Sequence, residues 1–459
     1  MAATNPDITI ADEEGAIAPE FIQAVTRAVQ AQDKSQLDSL IAKLHEADLA
    51  DLIELLAPAV RHDFIAMLGE DLNYSALSEL DETVRDDVLD ILPNEVVAEA
   101  VRELDSDDAV YLLEDLDEAE KSDILGHLPA ADRATLERSL DYPEDSAGRM
   151  MQVDFISVPG FWSVGQTIDF LRQSKDLPDS FQDIFVVDPA NHLLGKIGLD
   201  RILRTQRDIS IRDIMEAKPI TVPVDMDQEE VAHIFERYNL ISVAVTDQFD
   251  RLVGVVTIDD VVDVIHEEAS EDIHRLGGVG DESLADSVFS TVGGRITWLL
   301  VNLATAILAS MVIALFDATI EQLVALAVLM PIVASMGGNA GTQTMTVAVR
   351  SIATRDLVPV NAIRIITREV LVGLVNGCIF AVIMGVVAYF WFDSLTLGLV
   401  IAAAMTVNMI VAGLSGIVIP ITLDRFNIDP AIASSVFVTT VTDVVGFFSF
   451  LGLAAWWLT

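Results

Sequence analysis

Cysteine is almost missing from this chain. Cys378 stands alone among 459 residues, inside an apolar run, so neither an intrachain disulfide nor a thiolate metal site is available. Basic residues are scarce too, with 27 Lys and Arg against 72 Asp and Glu and a formal net charge of −45. So negative a chain excludes nucleic acid held through phosphate contacts, and it attracts cations. The seven His are scattered from His45 to His274 with no metal-ligand pair at helical spacing. No phosphate-binding loop for ATP hydrolysis and no nucleophile–base constellation is visible, so an enzyme is not expected. The opening residues MAATNPDITIADEEG lack a basic region followed by an apolar stretch. The expectation is no cleavable signal peptide and an N-terminal half that stays in the cytosol.

What is present divides into two unlike halves. From Arg295 to Thr459 there are six Arg, no Lys and eight Asp or Glu, a net of −2, which leaves −43 on residues 1–294. The C-terminal half carries apolar runs long enough to cross a bilayer, which takes about 20 helical residues. Five spans are expected near 296–316, 322–347, 370–392, 395–420 and 431–458. With five, Arg295, Arg350, Arg355, Arg364, Arg368 and Arg425 all fall on one side. Cytoplasmic connections carry the Lys and Arg excess, so the N-terminus is expected inside and the C-terminus outside a multi-pass plasma (inner) membrane protein.

In the acidic half, leucine recurs every twelve residues from Leu44 to Leu140, often followed by Asp or Pro. Asp caps helix starts and Pro suits the first turn. The pattern predicts an α-helical solenoid over residues 21–141, after a disordered stretch over 1–20. Short β-branched runs then alternate with helical stretches, twice over: FISVP…FVVDPANHLLGKIGLDRIL and PITVP…VAVTDQFDRLVGVVTIDDVV. These resemble tandem α/β CBS domains, expected at 142–208 and 209–265. Such domains bind adenosine nucleotides or act as sensors. Thr257 and Asp260 have the spacing used toward a ribose, whereas the first copy departs from it with Gly198 and Asp200.

A linker over 258–290 follows, and Asp260, Asp263, Glu267, Glu268, Glu271 and Asp272 crowd its helix. Spacings of three and four put Asp260, Asp263, Glu267 and Glu271 close to one face, where like charges repel by a few tenths of a kcal/mol per pair. Either this is a solvated linker, or bound cations screen it. The transmembrane domain is placed at 291–459. Asp443 is the one ionisable residue deep in an apolar run, with Thr439 and Thr440 a turn before it, and no Arg, Lys or His lies deep enough to pair with it. A lone carboxylate at membrane depth points to a functional site, and oxygen ligands suit a hard cation. In the second span PIVASMGGNAGTQ is expected to weaken the helix and free carbonyls toward a pore, unless its small residues serve close packing.

The whole order resembles the MgtE family of bacterial magnesium channels or transporters. The resemblance is carried by the acidic repeat, YPEDSAGRMM at 142–151, the paired modules, TIDDVVDVIHEEASEDI at 257–273, GGNAGTQ at 337–343 and DPAIASSVFVTTVTD at 429–443. It implies a homodimer with a pore at the dimer axis, lined mainly by the second and fifth spans. Gly337, Gly338, Asn339, Ser435, Thr439 and Thr440 are the expected lining. Asp443 becomes the carboxylate that attracts hydrated Mg²⁺. The linker becomes a plug helix whose cation-binding acids are Asp260, Asp263, Glu268, Glu271 and Asp272, with Asp107, Asp227 and Glu229 answering from the helical domain and the CBS pair. Ser435 and Val436 depart from the family pattern, which often has Asn or Gly followed by Pro there.

The expected function is passive Mg²⁺ uptake, closed by cytosolic Mg²⁺ bridging these acids, with an adenosine nucleotide such as ATP as a further ligand of the modules. Two alternatives stay open at this point: a transporter for Co²⁺, Mn²⁺ or Ca²⁺, and a membrane-anchored ion or nucleotide sensor that conducts nothing. Oxygen-only ligands weigh against the softer metals.

Overall fold

The computed structural model describes residues 9–11, 16–175, 177–178, 180–280, 288–357 and 360–458. It comprises two compact units, Met1–Glu268 and Ala269–Thr459.

The first unit opens with a stack of short helices. Regular ones begin at Glu46, Pro58, Glu82, Asn94, Ser106, Glu118 and Ala130. The twelve-residue interval of the leucines is therefore the interval of the helices. It is broken once, where a 3-10 turn at Gly69–Asp71 and a four-residue helix at Ser75–Ser78 replace a regular helix. Leu56, Leu68, Leu80, Leu92 and Leu128 are buried in one continuous core, and Leu44, Leu104, Leu116 and Leu140 pack against it.

The capping chemistry is more mixed than the repeat implies. Asp81 accepts a hydrogen bond from the Thr83 amide (3.2 Å). Asp105 and Asp117 start helices without a side-chain cap, and Pro93 and Pro129 stand one residue before the first turn. The disorder expected over 1–20 lies partly outside the described residues. Where it can be compared it ends earlier, because Ile17 and Ala18 are buried and a helix spans Pro19–Gln30.

Two small sheets follow. The first holds β1 (Ser157–Pro159), β2 (Asp183–Val187), β3 (Leu193–Gly198) and β4 (Glu216–Ala217), in that order. The second holds β5 (Thr221–Pro223), β6 (Ser242–Thr246) and β7 (Leu252–Thr257). In both, the first pair is parallel and the second antiparallel, as two copies of one module require. The modules exchange segments across the expected boundary at 208/209. β4 pairs with β3, while Ala147 and Met151 are buried in the core of the second module. Edge pairing and the burial of two apolar side chains decide this, and neither is visible in local composition.

A continuous helix, Ile258–Gly277, carries the acidic linker. Among the described residues of the second unit, five helices are long and apolar enough to cross a membrane: Val288–Ala314, Ala325–Ala353, Ala362–Phe392, Leu395–Arg425 and a fifth over Pro430–Leu458. They are called the first to fifth spans below. Of the apolar stretch in each, 56% is buried in the fourth and 6% in the first, so the fourth is the centre of the bundle. The second span remains helical from Ala325 to Ala353, through Pro331 and the glycines. The expectation of freed carbonyls there is therefore not met. Small residues serve close helix packing, where van der Waals contact holds spans together.

Candidate cation sites

Asp443 sits on the fifth span, half-buried. Among the described residues no hydrogen bond or ion pair holds its carboxylate. The hydroxyls before it are tied to their own helix: Thr439 donates to the Ser435 carbonyl (2.9 Å) and Thr440 to that of Val436 (2.5 Å). Such back-bonding leaves the hydroxyl oxygens free to accept from water. Ser435 is partly exposed beside them. On the second span Asn339 is exposed, and Gly338 meets nothing within 4 Å of where a Cβ would stand. Gly337 is different. It is buried, and an added Cβ would collide with the Asn408 amide. Its expected place in a pore lining is corrected to a helix-packing position, because the side chain of the fourth span fills the space a residue larger than glycine would need.

The acids of the linker helix do not act as one face. Those up to and including Glu268 belong to the first unit. Asp260 accepts from the Thr257 hydroxyl (2.6 Å) and amide (3.4 Å), so the pair expected to grip a ribose is bonded internally. Across from it stands Asp107, 7% exposed, with the Gln152 side chain and the Asp108 backbone opposing its upward shift. Burial, then the charge of Asp260, pushes Asp107 well above the usual carboxylate range. Burial also pushes Asp260 up to about 6, against the opposing Thr257 hydrogen bond. Asp108 is pushed up to about 7 by burial and by Asp260, and Glu114 to about 7 by burial and by Asp115. Asp263 is exposed and stands near Glu79, each raised first by loss of solvent.

Arg85 is the counterweight. Its side chain is 1% exposed, bonded to Asp115 (2.5 Å) and stacked over Tyr111 at 4.0 Å from the ring centroid. It opposes the upward shift of Glu267. Asp227 is exposed and caps the helix Gln228–Tyr238, accepting from the Glu229 amide (3.0 Å). Gln228, between Asp227 and Glu229, donates to Glu268 of the linker helix (3.1 Å).

Glu271 and Asp272 belong to the second unit. Arg275 pairs with both Glu271 and Asp429, the residue before the fifth span. Asp272 is raised by partial burial and by Asp429, with Arg350 opposing. Sequence reasoning missed Asp108, Glu114, Arg275, Asp429 and Asn408. Of these, Asn408 alone left a signal, as the one amide side chain in an apolar 31-residue helix.

Among the described residues no three His, Cys, Asp or Glu side chains converge as direct ligands of one metal ion. Facing carboxylates with no basic partner, such as Asp107 and Asp260, instead suit a cation that keeps its water, as Mg²⁺ tends to. A cleft of about 450 Å³ opens in the first CBS-like module beside Gly198, Asp200, Arg201 and Arg204, with Asp183 and Lys196 on its wall. It lies at the first copy's counterpart of the Thr257/Asp260 position.

Comparison with known proteins gives a consistent picture. A family model described as MgtE, divalent cation transporter, matches residues 330–453; the MgtE intracellular N domain matches 44–145, and a CBS domain 211–267. The magnesium transporter MgtE of Enterococcus faecalis is 34% identical over 70% of this chain and 71% of its own length. That of Thermus thermophilus is 33% identical over 70% and 72%. A solved structure of the cytosolic domain of the Mg²⁺ channel MgtE in complex with ATP is 30% identical over 53% of this chain and 99% of that one, with a TM-score of 0.49.

Proposed function

The chain belongs to the MgtE family of divalent cation transporters, and from that membership we propose that it carries Mg²⁺ passively into the cell, with Asp443 as the carboxylate the hydrated ion meets. Members of the family are transporters and not enzymes. The observation that carries the proposal is a half-buried carboxylate within an apolar span, bonded to no described residue. An anion so placed is expensive unless it faces water or a cation. A membrane potential negative inside favours entry of a dication by about 4.6 kcal/mol per 100 mV, so no coupled energy source is required.

The working assembly in this proposal is a homodimer in the plasma membrane, N-terminus in the cytosol. Gating follows from the acids of the first unit. Asp107, Asp108, Glu114, Asp260 and Asp263 gather carboxyl groups that burial and their mutual charges hold above the usual range, with few basic partners. Cytosolic Mg²⁺ screens that charge and favours the packed, closed state. At low Mg²⁺ repulsion loosens it. A ligand shifts such a balance only by preferring one state, and acids that face each other only when packed supply that preference. An adenosine nucleotide such as ATP is a further ligand in this proposal, held by the CBS-like modules either at Thr257 and Asp260 or at the cleft beside Asp200 and Arg201.

The test is Mg²⁺ flux into proteoliposomes with wild type and Asp443→Ala, at low and high Mg²⁺ on the cytosolic face. Uptake lost in the variant with the assembly intact, and suppressed by cytosolic Mg²⁺ in wild type, is the expected result. Equal flux in both proteins would remove Asp443 from the path. Absence of flux in wild type would leave the non-conducting sensor, and preference for Ca²⁺ or Mn²⁺ in competition would change the cargo.

A further inference from the structure

Asn408 lies mid-way along the fourth span and is 0% exposed. Its Nδ2 donates to the Val333 carbonyl of the second span (2.8 Å), while its Oδ1 has no hydrogen-bond partner. Two glycines make room for this amide. Gly337 on the second span lies against it, and a Cβ added to Gly446 on the fifth span would stand 2.8 Å from its nitrogen and 3.3 Å from its oxygen. One side chain therefore fills the point where three helices meet.

Packing alone does not account for an amide there. A buried carbonyl left unpaired is destabilising, and an aliphatic side chain would fill the space with no such penalty. Polar contacts between spans are also directional in a way that Leu packing is not. Asp443 lies three residues before Gly446, on the turn of the fifth span that Asn408 touches.

We propose that Asn408 is a positioning residue for ion passage: its amide anchors the fourth span to the second and sets the stand-off of the Asp443 turn from both. This rests on the reading of Asp443 given above. A carboxylate recognising a hydrated ion acts at a defined distance, so a shift of that turn alters the ion concentration needed for transport. A loss of folded protein lowers the amount of flux and leaves that concentration unchanged.

The experiment measures Mg²⁺ flux against external Mg²⁺ for the full chain in liposomes, alongside thermal unfolding in detergent. Asn408→Leu keeps the number and branching of side-chain heavy atoms, with bulkier methyl ends, and loses the hydrogen bond. The double variant Asn408→Ala with Gly446→Ala refills part of the vacated space with a methyl group, and serves where Asn408→Leu does not assemble. Half-saturating Mg²⁺ is expected to rise at least threefold in both, and the double variant to recover the unfolding temperature lost in Asn408→Ala without recovering half-saturation. Wild-type half-saturation in either variant overturns the inference alone. Wild-type-like flux from Asp443→Ala overturns the underlying reading of Asp443, and this inference with it.

Discussion

Asp107 and Asp260 face each other inside the first unit, one on a helix of the solenoid and the other at the start of the linker helix, with no Arg or Lys paired to either among the described residues. Two carboxylates brought together this way repel unless a proton or cation lies between them. Asp260→Asn removes one charge and keeps the shape. In Mg²⁺-free buffer the variant is expected to unfold at a higher temperature than wild type, and to gain less from millimolar Mg²⁺. Thermal unfolding of the full chain in detergent checks both; an unchanged Mg²⁺ response would remove this pair from the proposed gating.

The same carboxylates set a pH dependence. Asp108 and Glu114 near 7, and Asp260 near 6, lie above the ordinary carboxylate range. The folded state therefore holds protons that the unfolded chain releases from about pH 4 upward. Their contribution is fully present below that range and is lost as pH rises through about 6 to 7. Without Mg²⁺, the unfolding temperature should fall between pH 5 and pH 8, and added Mg²⁺ should flatten the fall. A temperature that rises over that interval would contradict the sign.

Arg275 neutralises Glu271 and Asp429 at the foot of the fifth span. Replacing it with Gln leaves Glu271, Asp272 and Asp429 without that guanidinium. Partly exposed pairs are worth about 0.2–1 kcal/mol, so the Mg²⁺ concentration that halves flux from the cytosolic side should drop by up to about fivefold. Flux titrations on inside-out vesicles read this directly, and a shift to higher Mg²⁺ would refute it.

Arg85 is buried with Asp115 as its bonded carboxylate. Asp115→Ala strands a buried guanidinium, and stranding one partner of such a pair destabilises by about 3 kcal/mol or more. Arg85→Met removes the charge with most of the volume and should be far milder. A urea titration of both variants tests the order; equal effects would show that Asp115 contributes little.

The repeat was legible because one physical cause, a leucine facing a shared core every twelve residues, acts locally and recurs. The five spans were legible for a similar reason, since a bilayer demands length and apolarity of each helix separately. Asp443 was legible because a carboxylate among Val and Phe is conspicuous in any register. The path of the linker acids was not. Asp260 and Glu271 share a helix face by spacing, yet one faces Asp107 and the other pairs with Arg275, which lies in the other unit. Gly337 also read ambiguously, since a pore lining and a helix contact both favour small residues, and only the Asn408 side chain distinguishes them.

Periodicity, length or charge within a short window suffices for the acidic solenoid, the doubled α/β module, the five spans and the lone membrane carboxylate. Tertiary structure decided which acids meet, which glycine is filled by a neighbour, and where the modules trade β4 and Ala147. Those depend on contacts between residues dozens to hundreds of positions apart, and no local pattern encodes a distance of that kind.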